Sequence, residues 1–234
     1  MFRTILNISL VALLCIFIAT GCGRDKSEEV QLDLPEDELD MLMNKGDTDE
    51  GLKGASSMYR GEWKSFPVYV DSGYFKNHFI PSGWMGDHGD MRFNGNWKEN
   101  VHSRNSCIKI VYSAEARQGN GWSGMYWQNP ENNWGMRKGG GFNLSQAVKL
   151  TFWARGEKGD EIIREFKMGG ISGAYPDSDA ASIGPLTLTA EWKQYTIDLT
   201  GMDLSYIIGG FCWVASAMDN MEGMVFYLDD IIYE

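Results

Sequence analysis

The residues best suited to chemistry lie between positions 118 and 142, in the stretch QGNGWSGMYWQNPENNWGMRKGGGF, where aromatic rings and amides are interspersed with glycine. A flat ring can carry the C–H face of a sugar, and a nearby amide can pair with the sugar's hydroxyls. Glycine lets a ligand approach the backbone closely. Trp134 is followed by glycine and is expected on an exposed loop, whereas core packing explains Trp122 and Tyr126 equally well. The stretch therefore predicts a sugar-binding surface.

A second candidate is Trp153, which has polar neighbours in the segment VKLTFWARGEKG, from Val148 to Gly159. Leu150 and Phe152 alternate with polar residues and are expected to face the core, so Trp153 and Arg155 face the other way. A tryptophan and an arginine on the polar face of a strand indicate either a ligand lying across them or a loop that covers them. We predict five ligand-binding residues: Trp127, Gln128, Trp134, Trp153 and Arg155.

Motifs for catalysis are missing from the sequence. Hydrolysis of a glycosidic bond usually takes two carboxylates at a defined separation, and no acidic pair here sits in a motif that assigns those roles. The three histidines, at positions 78, 88 and 102, show no metal-ligand spacing, and there is no GxSxG elbow or phosphate-binding loop. The sequence therefore predicts a non-catalytic protein, with a glycan-active hydrolase as a remote alternative.

Elements of strand type must position these residues. The segments VKLTFWARGEKG, LTLTAEWKQYTIDLTG and MVFYLDDIIYE alternate apolar and polar residues and are separated by turns that contain glycine. This pattern predicts an antiparallel all-β domain. In contrast, residues 71 to 90 are polar and rich in glycine, so we expect a long loop without regular structure there.

The order LTFWARG, EWKQYTIDLTG and FYLDDI resembles the jelly-roll β-sandwich of carbohydrate-binding modules with a galactose-binding-like fold, over roughly Phe66 to Glu234. The resemblance implies a single such domain that binds a glycan on the concave face of one sheet. It also implies a structural calcium ion, since such modules often hold one.

The calcium ligands that the resemblance implies are an acidic residue near the first strand and one from the last strand. Asp229 and Asp230 lie in the last strand, and Asp71, with Asn77 nearby, is the best match at the early end. Carboxylate and amide oxygens suit calcium. The alternative is that these acidic groups are simply solvated.

The amino terminus has the features of an exported lipoprotein. Arg3 precedes an apolar run from Ile5 to Ile18, which is short for a membrane span of ~20 residues. The run ends in Ala19-Thr20-Gly21-Cys22, which resembles the lipobox at which bacterial lipoproteins are cleaved and acylated. We predict a signal peptide over 1–21, lipidation at Cys22, an acidic flexible tether over 22–58 and the β-sandwich over 59–234. An ordinary secretory signal and a transmembrane anchor are the alternatives.

Charge and cysteine content limit the partners. The chain has 21 basic and 32 acidic residues, for a formal net charge of −11, which argues against nucleic acid as a ligand. Cys107 and Cys212 either form a disulfide or remain two buried thiols. The sequence thus predicts non-catalytic binding of a polysaccharide or glycoconjugate by a lipid-anchored protein of the bacterial cell envelope. The alternative is a protein–protein interaction module that uses the same aromatic surface.

Overall fold

The computed structural model describes residues 64–234, all of which belong to one compact unit. The predicted signal peptide, Cys22 and the tether over 22–58 lie outside the described residues. Thirteen strands occur within residues 64–234, with these bounds: β1 Phe66–Tyr69, β2 Ile80–Gly86, β3 Met91–Trp97, β4 Cys107–Tyr112, β5 Trp122–Gln128, β6 Lys149–Gly156, β7 Ile162–Ile163, β8 Glu165–Gly169, β9 Ala180–Ile183, β10 Leu186–Thr187, β11 Lys193–Asp198, β12 Gly209–Ser216 and β13 Met224–Tyr233.

The longer strands form two antiparallel sheets that face each other. Sheet A has the order β11-β6-β13-β4-β3, with β1 also paired to β13, and sheet B has the order β2-β5-β12-β8-β9. The chain passes repeatedly from one sheet to the other, as in a jelly roll. Both sheets bury one face in a shared core, so the fold is an all-β jelly-roll sandwich. This confirms the antiparallel all-β class that the strand pattern predicts and the jelly roll that the resemblance implies.

Alternation in sheet A follows the sequence pattern. Leu150, Phe152 and Ala154 of β6 are completely buried, and the Phe152 ring lies 5.1 Å from that of Phe211 on the opposite sheet. Trp153, between them, points to the outer face, as predicted. The strand β13 pairs with β4 on one side and β6 on the other, so it forms the centre of sheet A.

Sheet B resolves an ambiguity that the sequence pattern leaves open. In β12 either Phe211 and Trp213 or Cys212 and Val214 could face the core, and the structure places the aromatic pair inside. Since β5 pairs with β12 in register, its own inward residues are also defined by this choice.

The expectation of a loop without regular structure over residues 71–90 is wrong in part, because Ile80–Gly86 forms strand β2. This strand lies at the edge of sheet B, where Pro81 is tolerated because one side of the strand needs no backbone partner. A short 3-10 helix, His88–Asp90, follows it.

Cys107 and Cys212 are both buried and free, in strands of different sheets. Burial raises the pKa of the Cys107 thiol to about 12, so this thiol stays protonated at neutral pH. Among the described residues, no helix is long and apolar enough to cross a membrane.

Candidate binding groove

The outer face of sheet B carries an open groove of about 570 Å³, which crosses β2, β5, β12 and β8. Its position follows from strand alternation, because the residues on either side of each core residue must point outward. Met125 and Trp127 of β5 are in the core, so Tyr126 between them points into the groove. Cys212 and Val214 of β12 line the floor for the same reason.

Three aromatic side chains line this groove. Trp122 begins β5 with 37% of its surface exposed, and Trp134 on the following loop is 39% exposed. Trp122 and Tyr126 are four residues apart on one strand face, about 13 Å at ~3.3 Å per residue. The Trp134 ring meets the Tyr126 ring edge-on, with centroids 6.0 Å apart and an interplanar angle of 86°. Tyr126 is only 5% exposed, so the two indoles supply the open apolar surface and the buried Tyr126 ring forms part of the floor.

The floor of the groove is held in place by buried contacts. The Tyr126 hydroxyl donates a hydrogen bond to the carbonyl of Gly169 at 3.0 Å, which ties β5 to the end of β8. At Gly124, a Cβ atom would lie 2.7 Å from the Trp213 carbonyl oxygen and 3.0 Å from Cε of Met85. Glycine at this position therefore keeps the floor low between Trp122 and Tyr126.

Gln128 anchors the loop that presents Trp134. Its amide nitrogen donates to the Asn133 carbonyl at 2.9 Å, and its oxygen accepts from the Ser82 hydroxyl at 2.9 Å. The side chain is completely buried. Gln128 therefore positions Trp134 from below, and its hydrogen-bonding atoms face the protein rather than the groove.

Charged groups are few in the groove. Lys167 of β8 lines one wall, with Nζ 5.6 Å from the Tyr126 ring centroid and 4.0 Å from a Glu165 carboxylate oxygen. Among the lining residues, all of them in the described part of the chain, there is no carboxylate and no imidazole. The groove can therefore stack and hydrogen-bond a ligand, but it lacks the pair of carboxylates with which glycosidases act.

The five predicted ligand residues do not lie together. Trp134 lies in the groove on sheet B, and Gln128 lies beneath it. Trp127 is 1% exposed and packs in the core against Phe211, so its ring has no free face for a ligand. Trp153 and Arg155 are on the outer face of sheet A, on the other side of the sandwich.

Sequence reasoning left two groove residues undecided and missed a third. The structure places Trp122 and Tyr126 in one strand, so their separation by four residues puts them on the same face. The signal that could have chosen the outward face was the neighbouring Met125 and Trp127, which form a purely apolar pair. Lys167 alternates with Phe166 in the same way.

Arg155 is covered by aromatic neighbours. Its guanidinium carbon lies 3.9 Å from the Tyr227 ring centroid and 5.5 Å from that of Trp192, and the residue is 6% exposed. Trp153 is half-buried and stacks on His102, with ring centroids 3.8 Å apart. The loop that carries His102 thus covers part of this face.

The four predicted calcium ligands do not form one cage. Within residues 64–234, the group of three or more potential metal ligands with mutually close atoms is His102, Asp229 and Asp230, without Asp71. Asp71 accepts hydrogen bonds from the Ser72 amide and from the Ser106 hydroxyl.

The other oxygens are also engaged with protein donors. The Asn77 oxygen accepts from the Val70 amide at 3.1 Å. Asp230 pairs with the Arg104 guanidinium at 2.9 Å and with His102 at 3.1 Å. Calcium takes six to eight oxygen ligands, so the Arg104 guanidinium and the His102 imidazole beside Asp230 fit poorly with a calcium site. The side chains of the four predicted ligands are therefore not arranged as a calcium cage. The calcium ion itself stays a prediction from the resemblance.

Asp229 is the most perturbed acid on sheet A. It is completely buried, and burial together with the nearby Asp230 carboxylate raises its pKa to about 7. Its oxygens accept from the backbone amides of Ser103 at 3.1 Å and Asp230 at 2.9 Å, which oppose that rise. Asp229 therefore titrates near neutral pH and joins β13 to the loop that covers Trp153.

Comparisons with known proteins give fold-level likeness only. No protein-family profile and no curated protein matches this sequence. Among solved structures, the chain is similar to a family 30 carbohydrate-binding module of a cellulosomal cellulase of Clostridium thermocellum, with 14% identity, a TM-score of 0.47, and coverage of 74% of this chain and 98% of that one. A family 11 carbohydrate-binding module from the same organism gives 14% identity, a TM-score of 0.44, and coverage of 74% and 95%. A family 29 carbohydrate-binding module gives 10% identity, a TM-score of 0.42, and coverage of 73% and 91%. The assignment of the fold rests on this chain's own strand pairing.

Proposed function

We propose that the protein binds a neutral polysaccharide or glycoconjugate, without catalysis, through the groove on sheet B. The observation that carries this proposal is the presence of two exposed indoles, Trp122 and Trp134, over a floor that includes the buried Tyr126 ring, in an open groove with no carboxylate among its lining residues. Two large indoles left more than one-third exposed on the same surface call for a ligand that covers them.

The chemistry of the groove favours a sugar. The apolar C–H face of a pyranose matches an indole in shape and polarity, and its hydroxyls can pair with polar groups at the rim. Lys167 supplies a donor at one wall, and Ser172 also lines the groove. The net charge of −11 disfavours strongly anionic ligands. A neutral saccharide therefore fits both the groove and the charge of the chain.

A protein partner is the other ligand class with which aromatic clefts are compatible, since tryptophan and tyrosine also dominate protein interfaces. The two classes differ in competition: a soluble oligosaccharide displaces a glycan ligand but has no effect on a protein ligand.

The place of action that we propose is the bacterial cell envelope, with the chain held by acyl groups on Cys22. Each buried CH₂ of an acyl chain contributes ~0.8 kcal/mol, so two or more chains form a stable anchor. Cys22→Ser should abolish incorporation of labelled palmitate and release the protein from the membrane fraction. Retained label in that variant would exclude lipidation at this cysteine.

The test of glycan binding is a screen of the purified chain against neutral polysaccharides, followed by titration of tryptophan fluorescence with the oligosaccharides of any hit. A saturable change is expected, because two groove residues are exposed indoles. If the folded chain binds none of the neutral glycans in the screen, the proposed function is wrong.

A further inference from the structure

The outer face of sheet A carries a second groove, of about 490 Å³, on the side of the sandwich away from the groove on sheet B. Trp153 lies in it, with Gln194 directly opposite on the neighbouring strand β11. Thr151, two residues earlier on β6, lines the same surface. The groove therefore combines one indole with an amide and a hydroxyl that point the same way.

The indole in this groove is held rigidly. His102 stacks on one face of Trp153 at 3.8 Å with an interplanar angle of 20°, and its Nδ1 lies 3.1 Å from a carboxylate oxygen of Asp230. Asp230 is in turn paired with Arg104 at 2.9 Å. Because the ring is already fixed, a ligand that stacks on Trp153 loses little side-chain entropy on binding.

The charges around this groove are matched in pairs. Arg104 pairs with Asp230, and Lys149 pairs with Glu234 at 3.1 Å. A carboxylate or an ammonium ligand would have to break one of these pairs. A neutral ligand can instead accept hydrogen bonds from the cations and donate hydroxyls to the carboxylates without separating them.

We infer that the groove on sheet A is a second saccharide-binding site, so that one domain takes up two neutral sugar segments on opposite faces. This inference rests on the proposed function and extends it. Two sites on one rigid domain let a protein bridge two polysaccharide chains or hold one long chain twice, which raises the effective concentration of the second contact. The inference accounts for the partly open Trp153 and for its placement far from Trp134.

The experiment uses the full chain in mild detergent and isothermal titration with cellohexaose, mannohexaose and xylohexaose. We expect two bound oligosaccharides per chain with at least one of these probes. The double variant Trp122→Ala/Trp134→Ala should retain one site. Adding Gln194→Ala to it should weaken that site at least fivefold, and adding Trp153→Ala should weaken it at least tenfold.

The control is Thr196→Ala, because this exposed residue is on the same strand face as Gln194 and lies outside the groove. This variant should leave both sites unchanged. Because Gln194 is exposed, its substitution by alanine is not expected to unfold the domain. If the wild-type chain binds one oligosaccharide and the double variant binds none, the inference of a second site is wrong and the proposed function still stands. Absence of binding by the folded wild-type chain to all three probes would overturn the second site, and the wider screen of neutral polysaccharides decides the proposed function separately.

Discussion

Removal of either exposed groove indole should weaken glycan binding by a predictable amount. A tryptophan buries up to about 250 Å², so the exposed 39% of Trp134 corresponds to about 100 Å². A sugar that covers one ring face hides about half of that area, or about 1.2 kcal/mol at ~25 cal/mol per Å². Trp134→Ala is therefore expected to raise Kd about eightfold, and Trp122→Ala, at 37% exposed, by nearly the same factor.

The matched control is Trp84→Ala. Trp84 is 41% exposed, on the edge strand β2, and does not line the groove, so it offers the same chemistry and exposure in another place. It should change Kd less than twofold. Affinities would be measured by isothermal titration with the oligosaccharide that the screen identifies, and folding by thermal melting of each variant.

Two results would refute this reasoning. One is an unchanged Kd for both groove variants in chains that melt like the wild type. The other is an equal loss of affinity in Trp84→Ala, which would show that exposure of an indole, rather than its place in the groove, is what matters. If the two groove rings act independently, the double variant should lose about sixtyfold.

Three further outcomes follow from the structure. Gln128→Ala should destabilise the fold by about 1–3 kcal/mol, because it leaves the Asn133 carbonyl unpaired and removes one acceptor of the buried Ser82 hydroxyl. It should also weaken glycan binding, since Trp134 loses its support. Chemical denaturation and titration measure the two effects, and an unchanged variant would contradict the anchoring role. Asp229→Asn should compare more favourably with the wild type at pH 8 than at pH 4. With the folded pKa raised to about 7, the penalty on the buried carboxylate is absent below the unfolded value and grows as pH rises to 7, to at most about 4 kcal/mol at ~1.4 kcal/mol per unit, whereas the hydrogen bond that the asparagine NH₂ cannot accept is lost at both pH values. Urea unfolding at both pH values measures the difference, and an equal effect at both would refute the assignment. EDTA tests the calcium ion that the resemblance implies. The arrangement of the side chains predicts an unchanged melting temperature, because the oxygens of the predicted ligands already have protein partners, whereas a fall of several degrees that calcium reverses would establish a calcium site.

Much of the strand framework could be predicted from the sequence, because a strand that buries one face must alternate apolar and polar residues. That rule correctly places Leu150 and Phe152 in the core and Trp153 on the outer face. It failed for β2, since an edge strand pairs on one side only and tolerates proline and glycine that the pattern associates with loops.

The sequence by itself determined that the domain is all-β and that Leu150 and Phe152 face the core while Trp153 faces outward. Only the tertiary structure decided which face of β5 the second sheet covers, and therefore that Trp127 is core while Trp122 is open. It also separated Trp134 from Trp153 onto opposite sides of the sandwich. The physical reason is that periodicity relates residues within one strand, whereas exposure depends on which distant strands pack against it.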